Sequence, residues 1–229
     1  MGTVFEYWSV LLDGTLVTVS LALLSLLLSV ICGLVGAFLK LSNQPSMQRA
    51  GNAYTTLVRG VPDLVLMMLI FYGGQQVLND FGNWSGWWGY IDVNQFFAGV
   101  VTLGFIFGAY MAETFRGAIL AIPKGQIEAG VACGMTPGMI FCRVTWPQMV
   151  SFALPSFSNN WLVLVKSTAL VSVIGLHDLV WNAFSAGRSV RQLFTFMIVV
   201  LVIYLIITAI SDLGLRWLGR KYNTGVSRG

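Results

Sequence analysis

The sequence predicts an all-α integral membrane protein with five transmembrane helices in a single domain, residues 1–229. Of its 229 residues, 56% are hydrophobic and only 10% are charged, whereas soluble domains carry about 25% charged residues. Five stretches reach the roughly 20 apolar residues that a helix needs to cross about 30 Å of hydrocarbon. These stretches do not alternate apolar and polar residues as barrel strands do, so the spans are predicted to be helical.

The predicted spans follow one another along the whole chain. They cover residues 16–39, 54–78, 96–115, 151–176 and 193–213. The second and fourth are less uniform, because each contains polar residues or proline near one end. Gly104 and Gly108 form a GxxxG pair in the third span, which predicts close packing against another helix. A loop at about 119–150 separates the third span from the fourth.

Basic residues predict the orientation of these helices, because Lys and Arg are enriched in cytoplasmic loops. Ten of them fall on one side of the predicted topology, and only Arg188 and Arg191 fall on the other. The ten are Lys40, Arg49, Arg59, Arg116, Lys124, Arg143, Arg216, Arg220, Lys221 and Arg228. The loop 79–95 on the opposite side has no basic residue and carries aromatic residues that suit the headgroup layer. We therefore expect an external N-terminus, a cytoplasmic C-terminus and a cytoplasmic 119–150 loop.

The composition argues against several other classes of function. A net charge of +4 without a basic patch disfavours nucleic-acid binding. The three cysteines and the single histidine show no metal-ligand spacing, so no metal site is predicted. A membrane enzyme that uses Asp63, Glu113 or His177 is a weak alternative, because these residues lie far apart at no recognised spacing.

The 119–150 loop has the pattern of two short helices. Residues 126–133 predict the first, and Gly134 is placed to end it in a left-handed conformation. Thr136 as cap and Pro137 at the first position predict a second short helix, with Pro147 before the next membrane span. A partner that grips these helices could tilt the attached spans. Alternatively, the loop could rest on the bilayer surface.

Polar residues form a stripe along the fourth span. Ser156, Asn160 and Ser167 share one helical face, and Asn159 and Lys166 lie on the neighbouring stripe. The amides and hydroxyls could line a pathway for an amino acid, or they could join helices by hydrogen bonds. Lys166 is expected to face protein or water, because a charge inside the membrane costs about 2.5–3.5 kcal/mol.

Charged residues near the second and third spans predict ion pairs. Asp63 could pair with Arg59 one helical turn earlier, or its carboxylate could attract a guanidinium or ammonium group along a pathway. The ion pair is the simpler interpretation. Glu113 and Arg116 are three residues apart, which predicts a structural pair at the cytoplasmic end of the third span.

Glu128, Ala129, Gly134 and Pro147 match a signature by which the chain resembles the permease subunits of bacterial ABC importers. Their signature reads Glu-Ala-Ala, three residues, Gly, nine residues, Ile, any residue, Leu-Pro. The residues that match at this spacing are Glu128, Ala129, Gly134 and Pro147, with mild departures at Gly130, Val144 and Trp146. Residues 56–62, 112–117 and 164–170 are similar to the polar-amino-acid branch. Residues 59–66 and 170–176 resemble the Q-type permeases of histidine/lysine/arginine/ornithine and opine importers.

The resemblance implies an ABC type I importer permease fold in the bacterial inner membrane, with a periplasmic N-terminus. It implies transport of basic amino acids, namely histidine, arginine, lysine or ornithine. An opine or another polar amino acid is the alternative substrate, and a nucleotide-independent channel is the alternative from a different class. The implied partners are a second permease (a paralogous M-type subunit or a second copy), two ATP-binding subunits, a periplasmic amino-acid-binding protein and the lipid bilayer.

The resemblance also assigns roles to residues. The loop would be a coupling helix that inserts into a partner ATPase through Glu128, Ala129, Gly134 and Pro147. The chain has no GxxxxGK[ST] motif, so we expect the partner to bind ATP and Mg, and this chain to be neither an enzyme nor cofactor-bound. In related importers the fourth span contributes to a substrate site near mid-membrane. The expected pathway residues are Asp63, Ser156, Asn159, Asn160, Ser167 and Thr168.

Overall fold

The computed structural model describes residues 2–222, which are helical apart from short connections and contain no strand. The first helices are α1 (Gly2–Glu6), α2 (Trp8–Leu41), α3 (Pro45–Gly60), α4 (Asp63–Met68), α5 (Gly74–Ser85) and α6 (Gln95–Leu120). The later ones are α7 (Lys124–Ala132), α8 (Pro137–Ile140), α9 (Trp146–Ser167), α10 (Leu179–Ser189) and α11 (Leu193–Tyr222). Two π turns, Leu69–Gly73 and Phe141–Thr145, join α4 to α5 and α8 to α9, and a 3₁₀ segment, Thr168–Ile174, extends α9.

Within residues 2–222, four continuous helical stretches are long and apolar enough to cross a bilayer. They are Trp8–Leu41, Gln95–Leu120, Pro137–Ile174 and Leu193–Arg220. A fifth candidate is the pair Pro45–Gly60 and Asp63–Ser85, whose two helices are bent by 110°. These stretches confirm the predicted all-helical membrane fold.

The predicted second span, 54–78, is wrong as a single helix. The chain breaks at Val61, whose backbone is extended with φ −114° and ψ 141°. Pro62 is the physical cause, because a proline lacks a backbone N–H and its ring keeps the preceding residue out of the helical region. The fifth candidate span is therefore broken at Val61 and Pro62, where the helix α3 meets the helical segment Asp63–Ser85 at an angle of 110°.

Glycine allows α2 and α6 to pack closely along much of their length. A methyl group added at Gly33 would lie 2.4 Å from Met111 Cβ, and one at Gly108 would lie 2.5 Å from Cys32 Cβ. The contacts run in the same order along both helices, pairing Leu21 with Gly99, Leu28 with Gly104, Cys32 with Gly108, and Gly36 with Ala112. The two helices are therefore parallel, and the close packing predicted from Gly104 and Gly108 is confirmed.

The bundle has two distinct ends. Asn160 of α9 donates to Thr114 near the end of α6, while Val171 after α9 lies against Gly99 near the start of α6. Thr168 contacts Tyr204 of α11, while Leu154 lies against Gly219 farther along α11. The helix α9 therefore runs antiparallel to both. The C-terminal ends of α2, α6 and α11 thus meet the start of α9 at what we call the α7 end. At the other end, the α10 end, Asn182 of α10 donates to the carbonyl of Val10 at 2.9 Å.

Candidate coupling loop and polar cleft

The helix α7 ends as the sequence predicts, with Gly134 in a left-handed conformation at φ +74°. The N–H of Gly134 donates to the carbonyl of Val131 at 2.9 Å, and that of Met135 donates to the carbonyl of Gly130 at 3.0 Å. These two bonds form a Schellman motif, which satisfies carbonyls at the helix end. A residue with a Cβ at position 134 would strain this turn.

The start of the following helix is also as predicted, but its extent is not. Thr136 accepts from the N–H of Met139 at 3.4 Å, and Pro137 occupies the first turn. The sequence predicts a separate short helix that stops before Pro147, and this is wrong. Instead, α8 runs through the π turn into α9, with the N–H of Trp146 bonded to the carbonyl of Phe141. Pro147 lies just after the π turn inside this continuous stretch, and because it has no N–H it leaves one backbone carbonyl of the preceding turn without that donor.

The residues of the signature do not all face the same way. Glu128, Ala129 and Pro147 are exposed, whereas Gly130 is buried against Ile140. Glu128 forms no ion pair within residues 2–222, so its carboxylate is free to meet another molecule. The exposed side of α7 is thus separate from the side that packs on the bundle.

An open polar cleft of about 480 Å³ lies between α3, α6 and α9. Its lining consists of Arg59, Tyr110, Glu113, Thr114, Pro155, Ser156, Asn159 and Asn160. Ser156 and Asn159 are exposed to it, while Asn160 also donates to the hydroxyl of Thr114 at 3.0 Å. Asn160 therefore combines both expected roles of the stripe, since it joins two helices and lines a polar surface.

A cluster of charges around Glu113 closes one side of the cleft. Arg116 Nε donates to Glu113 Oε2 at 3.0 Å, which confirms the predicted pair. Lys40, whose side chain is only 9% exposed, also pairs with Glu113 and donates to the hydroxyl of Thr55 at 2.8 Å. Arg59 approaches the same carboxylate at 3.9 Å. Since one carboxylate faces three cations, the cluster keeps an excess of positive charge.

The predicted pair between Asp63 and Arg59 is wrong. The break at Val61 and Pro62 separates the two residues, so they no longer lie one turn apart on a helix. The guanidinium of Arg59 instead lies 5.4 Å from the ring centre of Tyr110, beside Glu113. Asp63 begins α4, where a negative charge is favourable at a helix N-terminus, and has no ion pair within the described chain.

Three of the polar residues predicted around the fourth span lie outside the cleft, toward the α10 end. Ser167 is half-buried at the last position of α9, and Lys166 is exposed on the surface of the chain. Thr168 is fully buried, donates to the carbonyl of Val165 at 2.6 Å and contacts the hydroxyl of Tyr204 at 3.2 Å. The structure therefore gathers Ser156, Asn159 and Asn160 but not these three.

The sequence did not predict four residues that form the cleft and its charge cluster, namely Lys40, Arg59, Tyr110 and Thr114. The sequence assigns Lys40 and Arg59 only to the basic side of the topology, yet the fold brings both to Glu113. One available signal was that Lys40 directly follows a long apolar run and therefore needs a partner. No group of three or more potential metal ligands occurs in the described part of the chain.

Comparison with known proteins gives the family. Residues 25–224 match the family model described as "Binding-protein-dependent transport system inner membrane component". The histidine/lysine/arginine/ornithine transport system permease protein HisQ of Escherichia coli (strain K12) is 50% identical over 224 residues, 98% of each chain. The octopine transport system permease protein OccQ of Rhizobium radiobacter is 35% identical over 96% of this chain and 92% of its own length.

A solved structure supports the same assignment. A chain in the crystal structure of an amino acid ABC transporter with histidines superposes with a TM-score of 0.82 at 31% identity, covering 95% of this chain and 96% of that one. The expected ABC importer permease fold is thereby confirmed. The chain belongs to the family of inner membrane components of binding-protein-dependent transport systems, and it is an amino-acid ABC transporter permease.

Proposed function

We propose that this chain is the permease subunit of an ATP-driven importer for histidine, lysine, arginine and ornithine. The observation that carries this proposal is the 50% identity to HisQ across 98% of both chains. The octopine and nopaline permeases are 35% and 39% identical over 96% and 93% of this chain, so opines are the next substrate class. The higher identity to HisQ favours basic amino acids over opines as the substrates of this chain.

We assign the polar cleft to the substrate pathway. Ser156 and Asn159 offer a hydroxyl and an amide, and Asn160 reaches the same space. Arg59, which is 45% exposed, has a forked guanidinium that matches a carboxylate. This supports a cleft that receives the backbone part of an amino acid, with Arg59 toward the α-carboxylate.

The cationic side chain of the substrate needs a different partner. The carboxylate of Glu113 already faces Lys40, Arg59 and Arg116, so it offers little attraction to a further cation. We propose that the side chain turns toward Asp63 or toward a carboxylate of the second permease. Ser167 would line the pathway nearer the α10 end, and the buried Thr168 would support its wall through Tyr204.

The loop around α7 is proposed to couple this subunit to an ATPase. Exposed Glu128 and Ala129 would enter the partner, while Gly134 and Pro147 set the geometry of the loop. ATP and Mg would be bound by two such partners. A second permease, either a paralogous M-type subunit or a second copy, would complete the pathway, and a periplasmic binding protein would deliver the amino acid.

The proposed orientation follows from charge. Lys40, Arg116, Lys124 and Arg143 all lie at or near the α7 end, which supports a cytoplasmic location for that end. The α10 end would then face the periplasm, as would the N-terminus, and the C-terminus would be cytoplasmic. ATP is present only on the cytoplasmic side, which agrees with a coupling loop at the α7 end.

The proposal is tested by co-expressing the chain with its genomic neighbours and reconstituting the purified complex. We expect ATP hydrolysis to rise when binding protein loaded with arginine or histidine is added, and the rise to be lost in Gly134→Leu. If no ATPase co-purifies and amino acids leak through regardless of nucleotide, the chain is a passive channel and the proposal is wrong.

A further inference from the structure

Two side-chain contacts join one face of helix α7 to the helical stretch that follows it. At the first point, Gly130 is buried against Ile140, and a methyl group at Gly130 would lie 3.2 Å from Ile140 Cγ1. At the second, Gln148 Nε2 donates to Gln126 Oε1 at 2.5 Å. Gln126 and Gly130 are four residues apart, so they lie on the same side of α7, one turn from each other.

Both contacted residues belong to the continuous stretch Pro137–Ile174. Ile140 lies before the π turn Phe141–Thr145, and Gln148 follows it in the first turns of α9. The amide of Gln148 is also fixed on its own helix, because it donates to the carbonyl of Val144 at 3.1 Å. The side chain is thus held in position from its own helix while it meets Gln126.

The π turn brings the two contact points into line. Eight residues of regular α-helix turn by about 800°, which would leave Gln148 about 80° away from Ile140. A π turn accommodates one extra residue, and the remaining seven residues turn by about 700°, close to two full turns. Ile140 and Gln148 therefore face α7 together.

The same stretch carries the cleft. Asn159 lies eleven residues after Gln148, about 17 Å farther along the helix. The helix α9 is continuous from Trp146 to Ser167 with Pro155 inside it, and Ser156 and Asn159 follow this proline, so a displacement of the helix start reaches both through one helix. The described contacts thus connect the proposed ATPase-facing surface to the proposed substrate pathway.

We propose that the Gln126–Gln148 hydrogen bond and the Gly130–Ile140 contact form a latch that transmits the displacement of α7 to α9. The inference rests on the proposed function, since it concerns how nucleotide-driven motion reaches the cleft. Gln126, Gln148 and Ile140 are positioning residues and do not touch substrate. The contact between Gly130 and Ile140 is close, because a methyl group at Gly130 would require the side chain of Ile140 to shift by a few tenths of an ångström.

The test is a double-mutant cycle in the reconstituted complex with its ATPase and arginine-loaded binding protein. The variants are Gln126→Met, Gln148→Met and the double variant, which keep side-chain length but remove the hydrogen bond. Gln44→Met is the matched control, because the exposed side chain of Gln44 has no hydrogen bond among residues 2–222. The readouts are ATPase co-purification, basal ATP hydrolysis and the number of arginines imported per ATP.

We expect each single variant to retain the ATPase and its basal hydrolysis, but to lower arginine imported per ATP by about three- to tenfold. The double variant should be no worse than Gln148→Met alone, because either single change already removes the bond between the two glutamines and Gln148→Met also removes the bond to Val144. Hydrogen exchange within residues 124–132 should become faster in all three variants and stay unchanged in Gln44→Met.

Two results would overturn the inference while leaving the proposed function intact. One is faster exchange in α7 with an unchanged ratio of arginine to ATP, which would make the contact merely structural. The other is a loss that multiplies in the double variant, which would mean that the two glutamines act independently. If the wild-type complex imports no arginine in response to ATP, the proposed function is wrong, and the latch proposal, which depends on it, is wrong as well.

Discussion

At the scale of single residues, the coupling loop depends on the backbone freedom of Gly134. Its φ of +74° closes the Schellman motif that ends α7, and no other atom lies within 4 Å of where a Cβ would be. Steric crowding by neighbours is therefore absent within the described chain, and backbone strain alone decides the effect of substitution. The left-handed conformation costs a residue with a Cβ about 1–2 kcal/mol.

We expect Gly134→Ala to unfold the end of α7 and reduce ATP-driven uptake, whereas Gly125→Ala should not. Gly125 lies in the first turn of α7 with ordinary helical dihedrals and open space around it, so alanine there should stabilise the helix by about 0.5–1 kcal/mol. Hydrogen exchange of residues 124–135 distinguishes the two. Equal exchange in both variants would rule out a special role for the Gly134 turn.

Asp178 gives a second prediction at this scale. One carboxylate oxygen accepts from the N–H of Trp181 at 2.8 Å, and the other is buried without a hydrogen-bond partner in the described chain. Burial raises the pKa of Asp178 from 3.8 to about 6. The folded protein therefore binds this proton more tightly than the unfolded chain, so stability should fall as pH rises from about 4 to 6 and stay lower above that.

The expected result is that the wild-type protein in detergent melts at a higher temperature at pH 5 than at pH 7. Asp178→Asn keeps the helix cap but removes the titrating group, so its melting temperature should change less over this interval. Parallel curves for the two proteins would contradict the assignment of this pH dependence to Asp178.

At the scale of elements, the helix caps and the close packing at Gly104 and Gly108 were predicted correctly, whereas the break at Pro62 and the contacts around Glu113 were not. Gly134, Thr136 and Pro137 predicted how two helices end and begin, because caps depend on a few neighbouring residues. Pro62 carried an equally local signal, but the apolar composition around it favoured one continuous span. The joining of Lys40 and Arg59 at Glu113 depends on how three helices pack, which no pattern along the chain records.

The parallel pair α2 and α6 gives a prediction for this scale. Gly33→Ala places a methyl group 2.4 Å from Met111 Cβ, an atom fixed to the backbone of α6, so the helices must separate. Overpacking of this kind costs about 1–3 kcal/mol. Gly117→Ala is the control, since nothing lies within 4 Å of a methyl group there. A melting temperature that falls equally in both variants would show that the contact is not tight.

At the scale of the whole molecule, the central structural proposal is the orientation of the bundle. Native cysteines report on it directly, because Cys133 and Cys142 are exposed near α7 while Cys32 is half-buried between helices. A membrane-impermeant maleimide should therefore label inside-out vesicles and leave whole spheroplasts unlabelled. Cys133→Ser combined with Cys142→Ser is the control and should abolish labelling. Labelling of whole spheroplasts would show that the bundle has the opposite orientation.

The most direct test of the account is uptake of radiolabelled arginine by proteoliposomes that contain the complete complex. We predict uptake only when ATP is present on the α7 side and loaded binding protein is present on the α10 side. Uptake that proceeds without ATP, or without binding protein, would contradict the proposal that this permease couples nucleotide hydrolysis to the import of basic amino acids.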